Sequence, residues 1–207
     1  MFFCSNISTD IDKLKQNKTE IHIQGDLGLF PWGEVMSRLE MLVQNQLLSA
    51  IEVHYPDEID LFEIAYRLQV LVLSKPCLST LSGTANHPVI VLDNRLTTAE
   101  QRVQLAHELC HFVAHSGDQL FMSPLFRSYQ ESQTRRMTMY LLSPTHMLTD
   151  SLNAMASQHI HPLLSVAQSF DIPYDFAKRR LDLYRLEFTR PVKSDVFTEP
   201  EQQILFA

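Results

Sequence analysis

Apolar residues recur at helical spacing along most of this chain, and breaks in that spacing mark where the elements end. Over residues 34–51, Val35, Leu39, Leu42, Leu47, Leu48 and Ile51 recur at helical spacing, and Met36 and Met41 beside them read as core packing. His54, Tyr55 and Pro56 interrupt the pattern, and Asp57 or Asp60 can cap a second helix carrying Ile59, Phe62, Ile64, Ala65 and Leu68. The runs at residues 70–73 and 89–92 are short and β-branched, so both read as strands, with residues 82–86 as the turn between them. Thr97 and Glu100 form a capping box, predicting a helix that runs to about His115 and stops at Ser116 and Gly117. Residues 118–128 read as a connection with an apolar centre (Leu120, Phe121, Met122, Leu125, Phe126) that folds onto the core or lines a cleft, the former being favoured. A long helix is predicted over about 129–142, ended by Ser143 and Pro144. Further helices are expected over 148–155, 163–170 and 175–186. Earlier in the chain, residues 20–24 alternate like a short strand, residues 25–33 form a turn-rich connection bearing Trp32, and the tail beyond Phe188 reads as weakly ordered. The sum is an α+β chain, mostly helical, with a small sheet packed on the helix that starts near Thr98.

Composition narrows the class without choosing a function. A chain of 207 residues, 45% hydrophobic and 20% charged, can build one domain with a real core. No apolar run is long enough to span a membrane, and the first residues lack the basic and apolar regions of a secretory signal. Cys4, Cys77 and Cys110 are scattered and odd in number, which argues against a disulfide framework and fits a cytoplasmic protein. A net charge of −7 gives no overall attraction to nucleic acid or to an anionic membrane. One local exception is Lys178, Arg179, Arg180, Arg185 and Arg190, at the end of a stretch readable as helix, turn, helix. Such a cluster can hold DNA phosphates, although a solvated helix face is the simpler account.

The chemistry concentrates in one helix. Residues 107–111 read H-E-x-x-H, and the rest of 105–114 is Leu, Ala, Cys, Phe or Val. Residues four apart share a helix face, so His107 and His111 can point at one ion, with Glu108 beside them as a general base. The plain alternative is a pair of core histidines that found hydrogen-bond partners. A catalytic zinc takes three protein ligands and keeps one position for water. The extended metzincin pattern requires Gly at 114 and His at 117, where this chain has Ala114 and Gly117. His115 stands two turns beyond His107, ~12 Å along the axis, and reads as a residue supporting the ligands or lining the cleft, or as a structural histidine. Glu131 is the better third ligand, because a twenty-residue interval lets a second helix lie beside the first; Asp118 and Glu100 compete.

These motifs resemble the ImmA/IrrE family of zinc metallopeptidases, whose core reads approximately TLAHELGH…H and then E-x-E-A-N-x-F-A-A-x-L-L-M-P. This chain has Gln104, Leu105, Ala106, His107, Glu108, Leu109, Cys110 and His111, then Glu131, Ser132, Gln133, Thr134 and Arg135 through to Leu141, Leu142, Ser143 and Pro144. The likeness runs over about residues 57–186, ending in a segment that includes Arg180 and Leu181. It implies a gluzincin-like site, with zinc held by His107, His111 and Glu131 and with Glu108 as the catalytic base. It also implies a protein substrate such as a transcriptional repressor. Arg135 or Tyr129 can be considered for the oxyanion. Gln133 and Arg135 depart from the pattern, and Met137, Thr138 and Met139 replace its small residues, so packing beside the metal must differ. The implied organisation is an extension over 1–55, a metallopeptidase domain over 56–188 and a tail over 189–207. A rival reading keeps the fold as an inactive or latent module that binds DNA or protein through its last helices.

Overall fold

Three short strands, not two, precede the central helix. In the computed structural model, which describes residues 37–84, 86–115, 122–158 and 161–189, β1 (Leu71–Lys75), β2 (Thr80–Thr84) and β3 (His87–Asp93) form one sheet in the order β1-β3-β2. The strand expected at 20–24, Trp32, the stop at Ser116 and Gly117, Asp118, Arg190 and the tail lie outside the described residues. β1 runs parallel to β3, and β2 runs antiparallel to it with Leu81 opposite Ile90 and Gly83 opposite Pro88. Ser82, Gly83 and Thr84 have turn composition, which hid β2; pairing with β3 overrides that local preference. Gly83 sits at φ +87°, and a Cβ there would lie 2.2 Å from the His87 carbonyl oxygen, so the hairpin requires glycine. Val72, Ile90 and Leu81 line up across the sheet in one row that packs on the core.

The helices start where side chains satisfy their free N–H groups. The described part of the pattern, residues 37–51, divides into α1 (Arg38–Gln46) and a single 3₁₀ turn over Leu48–Ala50. Asp60, rather than Asp57, caps α2 (Leu61–Arg67), accepting from Phe62 N at 2.8 Å and Glu63 N at 3.1 Å. Thr97 and Glu100 form the expected capping box on α3 (Thr98–Ala114), with N···O distances of 2.9 and 3.3 Å. α4 (Pro124–Leu142) begins a full turn before the predicted start, because Ser123 caps it and Pro124 occupies its first position. Leu125 and Phe126 are therefore helical and exposed (83% and 49%), which overturns the expectation that they fold onto the core. Leu105, Leu109 and Cys110 of α3 and Met137, Tyr140 and Leu141 of α4 meet in one core with Val43 and Leu47. α5 (Thr145–Gln158), α6 (Pro162–Ser169) and α7 (Tyr174–Thr189) follow.

Arg180 leaves the basic cluster and enters this core. It is fully buried, donating from Nε to the Ser143 carbonyl at 3.0 Å and from Nη2 to Thr145 Oγ1 at 2.9 Å. Its Nη1 is 3.7 Å from Glu187, whose carboxylate also accepts from Tyr140 Oη. Glu40 of α1 accepts from Thr145 N at 3.0 Å, so α1, α4, α5 and α7 are tied at the Ser143–Pro144 break. The end of α4 needs donors for its carbonyls, and the buried guanidinium provides one to Ser143. Lys178 and Arg179 stay exposed, and Arg185 pairs with Asp182 at 3.2 Å. Replacing Arg180 by Met should lower the unfolding free energy in urea by ~2–4 kcal/mol, since it removes the buried donors to the Ser143 carbonyl and Thr145 Oγ1. Arg179→Ala should change it by no more than ~0.5 kcal/mol. Equal stability of the Arg180 variant and the parent would refute the clamp.

Candidate metal centre

α3 and α4 lie side by side and bring three donor atoms to one point. His111 Nε2 stands 3.0 Å from His107 Nε2 and 3.1 Å from Glu131 Oε1, and His107 Nε2 is 3.5 Å from Glu131 Oε2. Two nitrogen lone pairs this close repel each other unless a proton or a cation lies between them. A tetrahedral zinc with Zn–N and Zn–O bonds of ~2.0–2.1 Å separates its ligand atoms by ~3.3 Å, so the donor set fits such an ion. Among the described residues, His107, His111 and Glu131 form the group able to hold a metal. Glu131 thus faces the histidines across the helix pair and is engaged there. Of its rivals, Glu100 is engaged in the capping box of α3.

Burial acts on the two imidazoles electrostatically. Desolvation is the largest cause that lowers the pKa of both His107 and His111, which keeps the imidazoles neutral and able to donate a lone pair. Glu131 opposes that shift for both, while Arg135 adds to it for His107. Behind the ligands, Thr134 of α4 meets His111 Nδ1 at 3.3 Å and His115 Nε2 at 3.0 Å. His115 terminates α3, so its contact lies on α4 and not at the donor set.

Glu108 is buried to 8% exposure, and desolvation pushes its carboxyl up to about 7. A main-chain hydrogen bond from Leu81 of β2 acts against that rise, and the charge of Glu131 adds to it. Pro88 has no N–H for Gly83, and the Leu81 N–H is directed to Glu108. Gly83–Pro88 and Leu81–Ile90 are therefore the pairs that do not exchange main-chain hydrogen bonds, and Leu81 and Gly83 turn those groups to the free edge of β2. The same edge borders Glu108.

Arg135 follows Glu131 by four residues on α4, is exposed, and is close enough to His107 to affect it. Tyr129 precedes Glu131 by two residues, so it emerges on another face, where its hydroxyl accepts from Gln133 at 3.0 Å. Two participants escaped the sequence reading. Leu81 was hidden with its strand, and a threonine inside a helix carries no local signal that it supports a histidine.

The comparisons with known proteins agree with this geometry. The model of the IrrE N-terminal-like domain, a peptidase family, matches residues 52–182, which include the donor set. The chain is 32% identical over 162 residues to YqaB of Bacillus subtilis (strain 168), described as uncharacterized, covering 78% of this chain and 92% of YqaB. It is also 32% identical over 153 residues to the phage-like element PBSX protein XkdA of the same strain, covering 73% of this chain and 75% of XkdA. A family model spanning more than half the chain, with relatives at this level of identity, shows that the chain belongs to the IrrE N-terminal-like (ImmA/IrrE) family of metallopeptidases.

Proposed function

We propose that this chain is a zinc-dependent endopeptidase in which His107, His111 and Glu131 hold the ion and Glu108 is the general base. The observation that carries the reading is the convergence of those three donors beside a buried glutamate of raised pKa. A zinc ion held there would act as a Lewis acid and would make water a stronger acid, with a pKa toward ~7. Glu108 accepts a proton from the attacking water and returns it to the leaving amine; a carboxyl poised near neutrality suits both transfers. The Leu81 N–H orients that carboxylate. Arg135, exposed and near His107, is the better-placed candidate to stabilise the oxyanion; Tyr129 would have to act from its neighbouring face.

The free edge of β2 supports a peptide substrate. An extended segment can add to it through the Leu81 carbonyl and the main-chain groups of Gly83, laying its backbone beside Glu108. The protein substrate we favour is a regulatory one such as a transcriptional repressor, as the family resemblance implies. The printed description of XkdA as a phage-like element protein agrees with a role in controlling mobile elements. No helix among the described residues is long and apolar enough to cross a membrane, and we take the site of action to be the cytoplasm.

Glu108→Gln should retain one zinc per chain while the cleavage rate falls by ~10²–10⁴. Undiminished cleavage by that variant would remove Glu108 from the base role. Glu131→Ala should lose stoichiometric zinc after dialysis, measured by elemental analysis; full occupancy would refute the ligand set.

The metal-free protein carries a further signature. The Glu108 carboxyl titrates at about 7 in the fold against an ordinary 4.5, so folding favours its neutral form. Its stabilising contribution is complete below pH 4.5, declines as pH rises, and is gone above 7. His107 and His111 act oppositely, because their lowered values favour the fold at higher pH. The stability of the parent relative to Glu108→Gln should therefore fall by up to ~3 kcal/mol between pH 4.5 and 7, read from urea unfolding at each pH. A difference that does not vary with pH would contradict the burial of an ionisable Glu108.

A further inference from the structure

We infer that Thr134 is the positioning residue of the metal centre: its hydroxyl holds His111 in the tautomer whose Nε2 lone pair is free for the ion. This deepens the zinc reading and rests on it. Thr134 is completely buried, on the face of α4 turned to α3. Its Oγ1 donates its one proton to the Gln130 carbonyl at 3.0 Å, the carbonyl one turn back along the same helix. A hydroxyl that has given its proton away can only accept. Two ring nitrogens reach that oxygen, His111 Nδ1 at 3.3 Å and His115 Nε2 at 3.0 Å. One donated and two accepted bonds use the full capacity of the oxygen.

The consequence for His111 is directional. Its Nε2 points at His107 Nε2 and Glu131 Oε1, at 3.0 and 3.1 Å. With Thr134 as a fixed acceptor, the ring proton resides on Nδ1, and Nε2 presents a lone pair to the centre. The opposite tautomer would set the Nδ1 lone pair against that of the Thr134 oxygen and would leave Nε2 unable to donate to an ion. His115 lies at the same oxygen and also hydrogen-bonds the Gln130 main chain, so Thr134, Gln130 and the two rings form one connected network. In the motif given above, alanine stands at this position and has no acceptor to offer. The support of His111 by a side-chain hydroxyl is thus a feature of this chain's own sequence.

Three variants of the full-length protein test it. Thr134→Val keeps the shape and removes the acceptor; Thr134→Ser restores it. Zinc affinity measured by chelator competition should fall ~10–100-fold in Thr134→Val and return to within about threefold of the parent in Thr134→Ser. In the zinc-loaded proteins, the His111 Nδ1 proton should give a downfield, slowly exchanging resonance in the parent and in Thr134→Ser, and should exchange faster in Thr134→Val, where its acceptor is gone. Should Val fail to fold, Thr134→Ala takes its place, since alanine favours the helix. A variant without the hydroxyl that binds zinc as tightly as the parent and keeps the Nδ1 proton protected overturns the inference alone. A parent that takes up no zinc overturns the metal reading and this inference together, so the two failures are distinguishable.

Discussion

Two imidazoles and two carboxyls lie at the junction of α3 and α4, in a region otherwise closed by leucine, alanine, methionine and cysteine. Ionisable groups in such surroundings lose hydration energy, and that loss has to be offset locally. The fold does this by making the groups answer one another. The carboxylate of Glu131 faces both histidines, Thr134 accepts from His111, and the Leu81 main chain donates to Glu108. The pair of nitrogens 3.0 Å apart needs a proton or a cation between them. Desolvation that would weaken an ordinary core is what keeps the histidines neutral and holds the Glu108 carboxyl up to about 7.

Helix periodicity and capping chemistry made much of this legible in the sequence. His107 and His111 had to share a face once α3 was a helix, and Thr97 with Glu100 announced where that helix begins. The partner helix was legible at its end, through Ser143 and Pro144, and less so at its start. Ser123 and Pro124 are a cap and a first-turn proline, but the exposed apolar pair that follows suggested a buried loop. β2 was illegible for a different reason. Its residues have poor strand preference, and only the ladder with β3, together with a glycine at positive φ, makes them a strand. Arg180 was misjudged because charge in sequence reads as surface. Nothing local reveals that a broken helix end elsewhere in the chain requires a guanidinium.

The site depends on how α4 is set against α3. A helix displaced by one residue moves ~1.5 Å along its axis and turns by ~100°, enough to withdraw Glu131 from the histidines altogether. Several contacts hold α4 against such a shift, and they lie at both ends and in the middle. Ser123 caps its start, Arg180 and Glu187 hold its end, and Thr134 meets the last two histidines of α3. The distant clamp at Ser143 is therefore part of the geometry of the donor set, although it touches none of its three residues. Thr134 has the larger share of that geometry for a simple reason. It joins the two helices at the level of His111 itself, where an error in rotation is translated most directly into an error at Nε2.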